Sequence, residues 1–184
     1  MKNHTHKFSF IVICPEANAP RVKSTINSIK KLYQGISSLV VVPDSIAQTE
    51  IDLLKEFCFV KKGGKKITSL INTGIKNGHT DWNILLMEGC KPSARTVGKI
   101  FNFIDDESNI MFPVSADRDR EGKIHKTYTS FDECSLNGIT IHQKTFQKIG
   151  GFSNNPLLTS KFFWQMDAIE KGCSFRGVLG MNLN

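Results

Sequence analysis

Apolar residues recur along this chain in two rhythms, short unbroken runs and three-to-four spacings, and the two alternate. Residues 7–14 (KFSFIVIC) form a β-branched and aromatic run that reads as a buried strand. A loop with two prolines, 15–20, leads into a helix over 21–33, where Val22, Ile26, Ile29 and Leu32 or Tyr33 share one face and Gly35 ends the pattern. The spacing then predicts a short strand over 38–42, an amphipathic helix over 46–57, and a third strand near 57–60. Gly63 and Gly64 break the chain before a helix over 65–76 that Asn77-Gly78 closes. A buried strand follows at 82–87 (WNILLM), then a helix over 93–104 with Ser93 as N-cap, and a strand over 109–114.

Up to residue 114 the pattern is βαβαβαβαβ. Unbroken apolar strands between amphipathic helices predict a parallel sheet covered on both faces. Ligands of such sheets bind outside the carboxyl ends of the strands, so the loops after Cys14, Val42, Val60 and Met87 should line one crevice. Residues 117–129 are polar, with Glu121-Gly122 as a hairpin turn. A strand at 138–142, a short helix at 144–149, a longer helix at 162–171 and a last strand at 174–178 complete the reading. The fold class expected is α/β: one three-layer, Rossmann-like domain over 1–184 with a mostly parallel central sheet. The change of pattern divides it into halves, 1–114 and 115–184.

Composition changes little. At 184 residues, 40% hydrophobic and 22% charged, the chain can bury a core without staples. No run reaches the ~18 apolar residues of a membrane span, so no transmembrane segment is expected. The apolar run 8–14 is too short for a signal peptide, and the chain reads as cytoplasmic. Five cysteines (Cys14, Cys58, Cys90, Cys134, Cys173) never fall at CxxC spacing, which indicates neither a zinc site nor a disulfide framework. The net charge of +7 suits an anionic partner without choosing one. A specific nucleic-acid partner is not expected, because the lysines are dispersed.

Several loops carry residues in a familiar order. Pro15-Glu16-Ala17-Asn18 follows the first strand, with Ser28-Ile29 in the next helix. Pro43-Asp44-Ser45 follows the second strand; Gly64 precedes a helix bearing Asn72-Thr73-Gly74; Ile149-Gly150-Gly151-Phe152 precedes a helix closed by Lys171-Gly172. In this order the chain resembles the family-two glycosyltransferases, GT-A type nucleotide-diphospho-sugar transferases, over roughly 8–178. The resemblance implies a nucleotide diphosphate sugar as donor, an unknown glycan or protein as acceptor, and Mn²⁺ or Mg²⁺ as cofactor, with 1–114 as the nucleotide-binding half and 115–184 as the acceptor-side half. Two motifs of that family are altered here. Its Asp-x-Asp after the fourth strand is Glu88-Gly89-Cys90, and its Glu-Asp motif on the acceptor-side helix falls at Ser160-Lys161.

Sugar transfer needs positioning, a cation for the leaving diphosphate and a base for the acceptor hydroxyl. For positioning, the resemblance points to Asp44 on the base or ribose, with Pro15, Asn18 and Asn72 also on the nucleotide-sugar side. The plainer alternatives are a helix-capping aspartate for Asp44 and a simple turn for Pro15 and Asn18. For the diphosphate there is Glu88 with a metal, or the cluster Lys61, Lys62, Lys65 and Lys66 around Gly63-Gly64. The cluster is no P-loop, since Phe59 and Lys66 stand where that motif needs Gly and Ser/Thr, and a solvated lysine turn competes with it. For the base, the candidates are Asp132 and Glu133, with surface charge as the alternative. Asp117-Arg118-Asp119 reads as turn chemistry, and Trp82 and Trp164 as core. The rival to an enzyme is a catalytically inactive form of the same fold that binds a nucleotide, a glycan or a protein. A nucleotidyltransferase on this fold is a weaker third reading.

Overall fold

The computed structural model describes residues 8–32, 36–102, 104, 106–118, 124–129, 137–153 and 157–179. Its first half follows the alternation of runs and spacings. Strand β1 (Phe8–Ile13) leads to helix α1 (Ala19–Leu32), β2 (Ser37–Val42), α2 (Gln48–Lys55), β3 (Phe59–Lys62), α3 (Ile67–Lys76), β4 (Trp82–Met87) and α4 (Ala94–Phe101). The second half runs β5 (Asn109–Arg118), β6 (Ile124–Thr129), β7 (Thr140–His142), α5 (Gln143–Ile149), α6 (Leu157–Glu170) and β8 (Ser174–Leu179).

The strands join in one sheet of order β3-β2-β1-β4-β7-β5-β6. Strands β1 to β4 pair in parallel; β7 inserts antiparallel to β4 and β5. Strand β8 pairs in parallel with Asn109–Val114 on one edge of β5, while β6 pairs antiparallel with the stretch beyond. The mixed α/β class and mostly parallel sheet are as expected.

Side-chain alternation on buried strands builds two cores. Phe8, Phe10, Val12, Val40, Val42, Ile84 and Leu86 face α1, α2 and α4 through Val22, Ile26, Ile29, Leu54, Val97 and Ile100. Ile11, Ile13, Leu39, Val41 and Leu85 face α3, α5 and α6 through Leu70, Ile71, Ile75, Phe146, Ile149 and Trp164. Trp82 and Trp164 are core residues, each 3% exposed. Among the described residues no helix is long and apolar enough to cross a membrane.

Several boundaries differ from the sequence reading for local reasons. Helix α2 starts after a turn in which Ile46 N–H donates to Pro43 O (3.2 Å), so residues 46 and 47 stay outside it. Strand β3 lies two residues further on than expected, because Lys61 and Lys62 continue the backbone pairing with Val41 and Val42. Strand β5 extends to Arg118, taking Asp117-Arg118 out of the turn and into the ladder, where the register shifts. Helix α6 begins at Leu157 rather than 162.

Helix α3 lies close on the sheet because Gly74 has no side chain. A Cβ there would stand 2.3 Å from Ile11 Cγ2 and 3.3 Å from Val41 Cγ2. Gly74→Ala should therefore cost about 1–3 kcal/mol through overpacking, read as a lower urea midpoint at unchanged slope. An unchanged midpoint would show that α3 is not held at this distance.

His142 ends β7 and caps α5: its Nδ1 accepts from Lys144 N–H at 3.2 Å, and its ring stands edge-on to Trp82 at 5.1 Å. Burial lowers its pKa below the usual 6.5, with Glu107 (Oε1 3.6 Å from Nε2) pulling the other way. A group depressed in the folded state gives stability that is complete above its unfolded pKa and is lost as pH falls through the folded one. Stability should thus fall as pH drops below about 6.5. His142→Asn, which keeps an acceptor at the cap but does not titrate, should flatten the slope between pH 7 and 5 in denaturant titrations. An identical slope in both proteins would remove His142 as its source.

Candidate functional site

The sheet changes direction of winding between β1 and β4: from β1 the chain passes to β2 on one side, and β4 lies on the other. In sheets of this kind the ligand crevice lies outside the carboxyl ends of the strands at such a point. The loop after β1 and the turn after β4 stand at that place.

These walls are bonded to each other. Glu88 follows β4 and continues its pairing, with Glu88 N–H donating to Ile13 O at 3.0 Å. Its side chain turns inward, and the residue is only 4% exposed. One carboxylate oxygen accepts from Glu16 N–H and the other from Asn18 N–H, both at 2.9 Å. Between those two amides Ala17 adopts a left-handed conformation (φ 53°), which costs a non-glycine residue of order 1 kcal/mol. Two charge-assisted bonds offset that cost. Asn18 caps α1, its Oδ1 accepting from Arg21 N–H at 3.1 Å. Pro15, half-buried, opens this loop.

The turn after β4 is fastened to α1 as well. Gly89 (φ 91°) donates its N–H to Thr25 Oγ1 at 2.9 Å. Arg21 Nη2 donates to Glu88 O at 3.3 Å and Nη1 to Glu16 Oε2 at 2.9 Å. A Cβ on residue 89 would come within 3.1 Å of Arg21 Nε. Burial, then the negative charge of Glu88, push the Cys14 thiol well above its usual range; burial also raises that of Cys90.

The other side of the crevice, at the ends of β2 and β3, carries exposed charged side chains. Asp44 N–H donates to Gly64 O at 3.2 Å, and Gly63 N–H to Val42 O at 3.0 Å, which joins the two loops. Lys62 Nζ donates to Asp44 O at 3.4 Å. The Asp44 side chain is exposed, and its carboxylate has no hydrogen bond or ion pair among the described residues. It does not cap α2, whose N-cap is Ala47 without a side-chain bond. Lys61, Lys62, Lys65 and Lys66 are all exposed, and Lys66 occupies the N-cap position of α3.

Asn72 is used elsewhere. Its Nδ2 donates to Phe152 O and its Oδ1 accepts from Phe152 N–H, both at 2.8 Å. The same segment is held by Trp164, which donates Nε1–H to Gly150 O (2.8 Å) and stacks on Phe152 at 4.7 Å between ring centres. Asn72 thus ties α3 to the Gly150-Gly151-Phe152 segment and does not offer its amide to a nucleotide, contrary to the expectation for it. Asp132 and Glu133 lie outside the described residues.

The residues at the β4 turn fit Mg²⁺ or Mn²⁺ poorly. Both Glu88 oxygens already accept amides, Gly89 has no side chain, and Cys90 offers sulfur where hard cations prefer oxygen. Among the described residues no three His, Cys, Asp or Glu side chains gather as a ligand set. Arg21 and Thr25 complete the site without having been named from the sequence, as do Glu16 and Gly89, which were quoted within motifs but given no role. The one local signal was a charged pair, Glu16 and Arg21, flanking the first turn of a helix.

No protein-family model matches the chain, and no curated protein matches it either. Solved structures do. The 4-diphosphocytidyl-2C-methyl-D-erythritol synthase superposes on 97% of this chain and 92% of its own, with a TM-score of 0.63 at 10% identity. The fold is GT-A-like. The bifunctional IspDF from Campylobacter jejuni gives a TM-score of 0.63 at 10% identity over 95% of this chain, which spans 50% of that protein. TarS 1–349 from S. aureus, in complex with UDP, gives 0.63 at 12% over 95%, and this chain spans 58% of it. At such identities the likeness is one of fold.

Replacing Glu88 tests the clamp. Glu88→Gln sets an NH₂ against one of two backbone N–H donors, and an unmet buried donor costs about 1–3 kcal/mol. The thermal midpoint should fall by several degrees, and amide exchange at Glu16 and Asn18 should speed up. Unchanged exchange at those two amides would show that Glu88 does not hold the loop.

Proposed function

We propose that this chain is a transferase that binds a nucleoside diphosphate sugar at the carboxyl ends of β1, β2 and β4. The observation that carries the reading is Asp44. Its carboxylate has no hydrogen bond or ion pair among the described residues, its backbone is bonded to Gly64 beyond the carboxyl end of β2, and it does not cap α2. An exposed acid in such a place suits the hydroxyls of a ribose or the N–H edge of a base. Two of the similar structures carry a pyrimidine nucleoside diphosphate in their names, as UDP and as a diphosphocytidyl group, which makes UDP and CDP derivatives the first ligands to try.

Pro15 and the amide-pinned loop behind it would form the floor under the nucleotide, and Lys65 and Lys66, with Lys62, would face the phosphates. The lysine turn sits beside Asp44 through the Asp44–Gly64 bond. The resemblance to family-two glycosyltransferases favours sugar transfer over nucleotidyl transfer, with Asp132 and Glu133 as candidate bases for the acceptor hydroxyl.

Thermal unfolding against UDP, CDP, ADP, GDP and their sugars tests binding. Saturation at about 100-fold over Kd stabilises by about 2.7 kcal/mol, a rise of several degrees in a chain of this size. Asp44→Asn should weaken the bound nucleotide about tenfold and leave the unliganded midpoint unchanged. A wild-type midpoint that no nucleotide moves would sink the reading.

A further inference from the structure

We propose that Arg21 takes the electrostatic place of a divalent cation in this crevice, meeting the diphosphate of the nucleotide directly, and that Glu16 holds it in reserve. The inference rests on the nucleotide reading above and names the group that meets the phosphates.

A diphosphate bound at the β1–β4 junction needs positive charge there. The carboxylate that could recruit a metal is committed: Glu88 is 4% exposed and bonded to two amides. In its stead the β4 turn carries a guanidinium. Arg21 reaches from the first turn of α1 to donate to Glu88 O at 3.3 Å. Gly89, at φ 91°, leaves it close room: a Cβ there would stand 3.1 Å from Nε and 3.3 Å from Nη2, and the guanidinium would have to give by a few tenths of an ångström. The turn and the arginine are therefore fitted to each other.

The Arg21 side chain is 50% exposed, so part of it rests on the protein and part faces solvent. A guanidinium carries more N–H donors than these two bonds use, and its planar fork suits phosphate oxygens. Its charge belongs to the chain, so no metal has to be recruited or lost. Glu16, with its side chain 68% exposed, pairs with Nη1 at 2.9 Å. An exposed pair of this kind is weak and readily exchanged for a stronger anion. Binding of a diphosphate would break the Glu16 contact and keep the Glu88 one, because the second is a backbone bond behind the guanidinium.

Isothermal titration of UDP and of CDP into the full chain, in EDTA and then in Mg²⁺ or Mn²⁺, tests this with three variants. The wild-type Kd should be the same within about twofold in all three conditions. Arg21→Met should raise Kd about 10- to 100-fold, the usual range for losing a charge-assisted bond. Arg21→Lys should fall between the two, keeping charge without the fork. Glu16→Gln should lower Kd several-fold, a gain that impaired folding cannot produce. Binding that vanishes in EDTA and returns with metal would overturn the arginine inference and leave the nucleotide reading standing. So would an unchanged Kd in the Arg21 variants. Failure of every nucleotide to bind wild type in any condition would overturn both.

Discussion

The carboxylate of Glu88 is the contact on which the functional end of this fold depends. A buried carboxylate is costly unless its charge is met by hydrogen bonds. Here both oxygens are met by backbone amides of the loop after β1, some seventy residues away in sequence. That pair of bonds holds Ala17 in its left-handed conformation and presents Asn18 as the cap of α1. Through the cap it fixes the direction of α1, and so the place of Arg21 and Thr25 against the β4 turn. Remove the carboxylate and each of these loses its reason to be where it is.

The strands and helices were legible because burial on both faces writes itself as unbroken apolar runs. Phe8–Ile13 is buried at every position, and Trp82–Met87 at all but its last. Edges were less legible for the converse reason. Strand β3 is FVKK, with three of four residues exposed, and it belongs to the sheet through its backbone pairing with β2. No side-chain pattern marks such a strand. The polar ladder of β5 and β6 hid its first strand's length in the same way, so that Asp117-Arg118 looked like a turn.

The candidate site was legible in place but not in partnership. That residues after the ends of β1, β2 and β4 would meet follows from the parallel topology, and Asp44, Asn18 and Glu88 do stand there. What each one touches depends on chain direction after the turn. Glu88 turns inward and Asp44 outward, although both are acids following buried strands. Asn72 was assigned to the nucleotide by its motif, yet it holds Phe152 by both amide atoms. Arg21 had no motif at all. Its partner is a carbonyl 67 residues later, beside a glycine whose missing Cβ lets the guanidinium lie close.

The two sides of the crevice differ in how their charges are spent, and the difference bears on function. On the β1–β4 side Glu88 and Asn18 are bonded to the backbone of the loop, so the loop is set before any ligand arrives, with Arg21 and Glu16 as its exposed charges. On the β2–β3 side the Asp44 carboxylate has no partner among the described residues, and exposed lysines surround a glycine turn. A ligand that bound there would gain new interactions without having to order the opposite wall, which is how preorganisation lowers the cost of binding. Exposed charge alone is no mark of a site, since water solvates it at the end of any sheet. Its place beside a wall already set by internal bonds is what suits the proposed exchangeable, anionic ligand, the wall to define orientation and the charge to attract it.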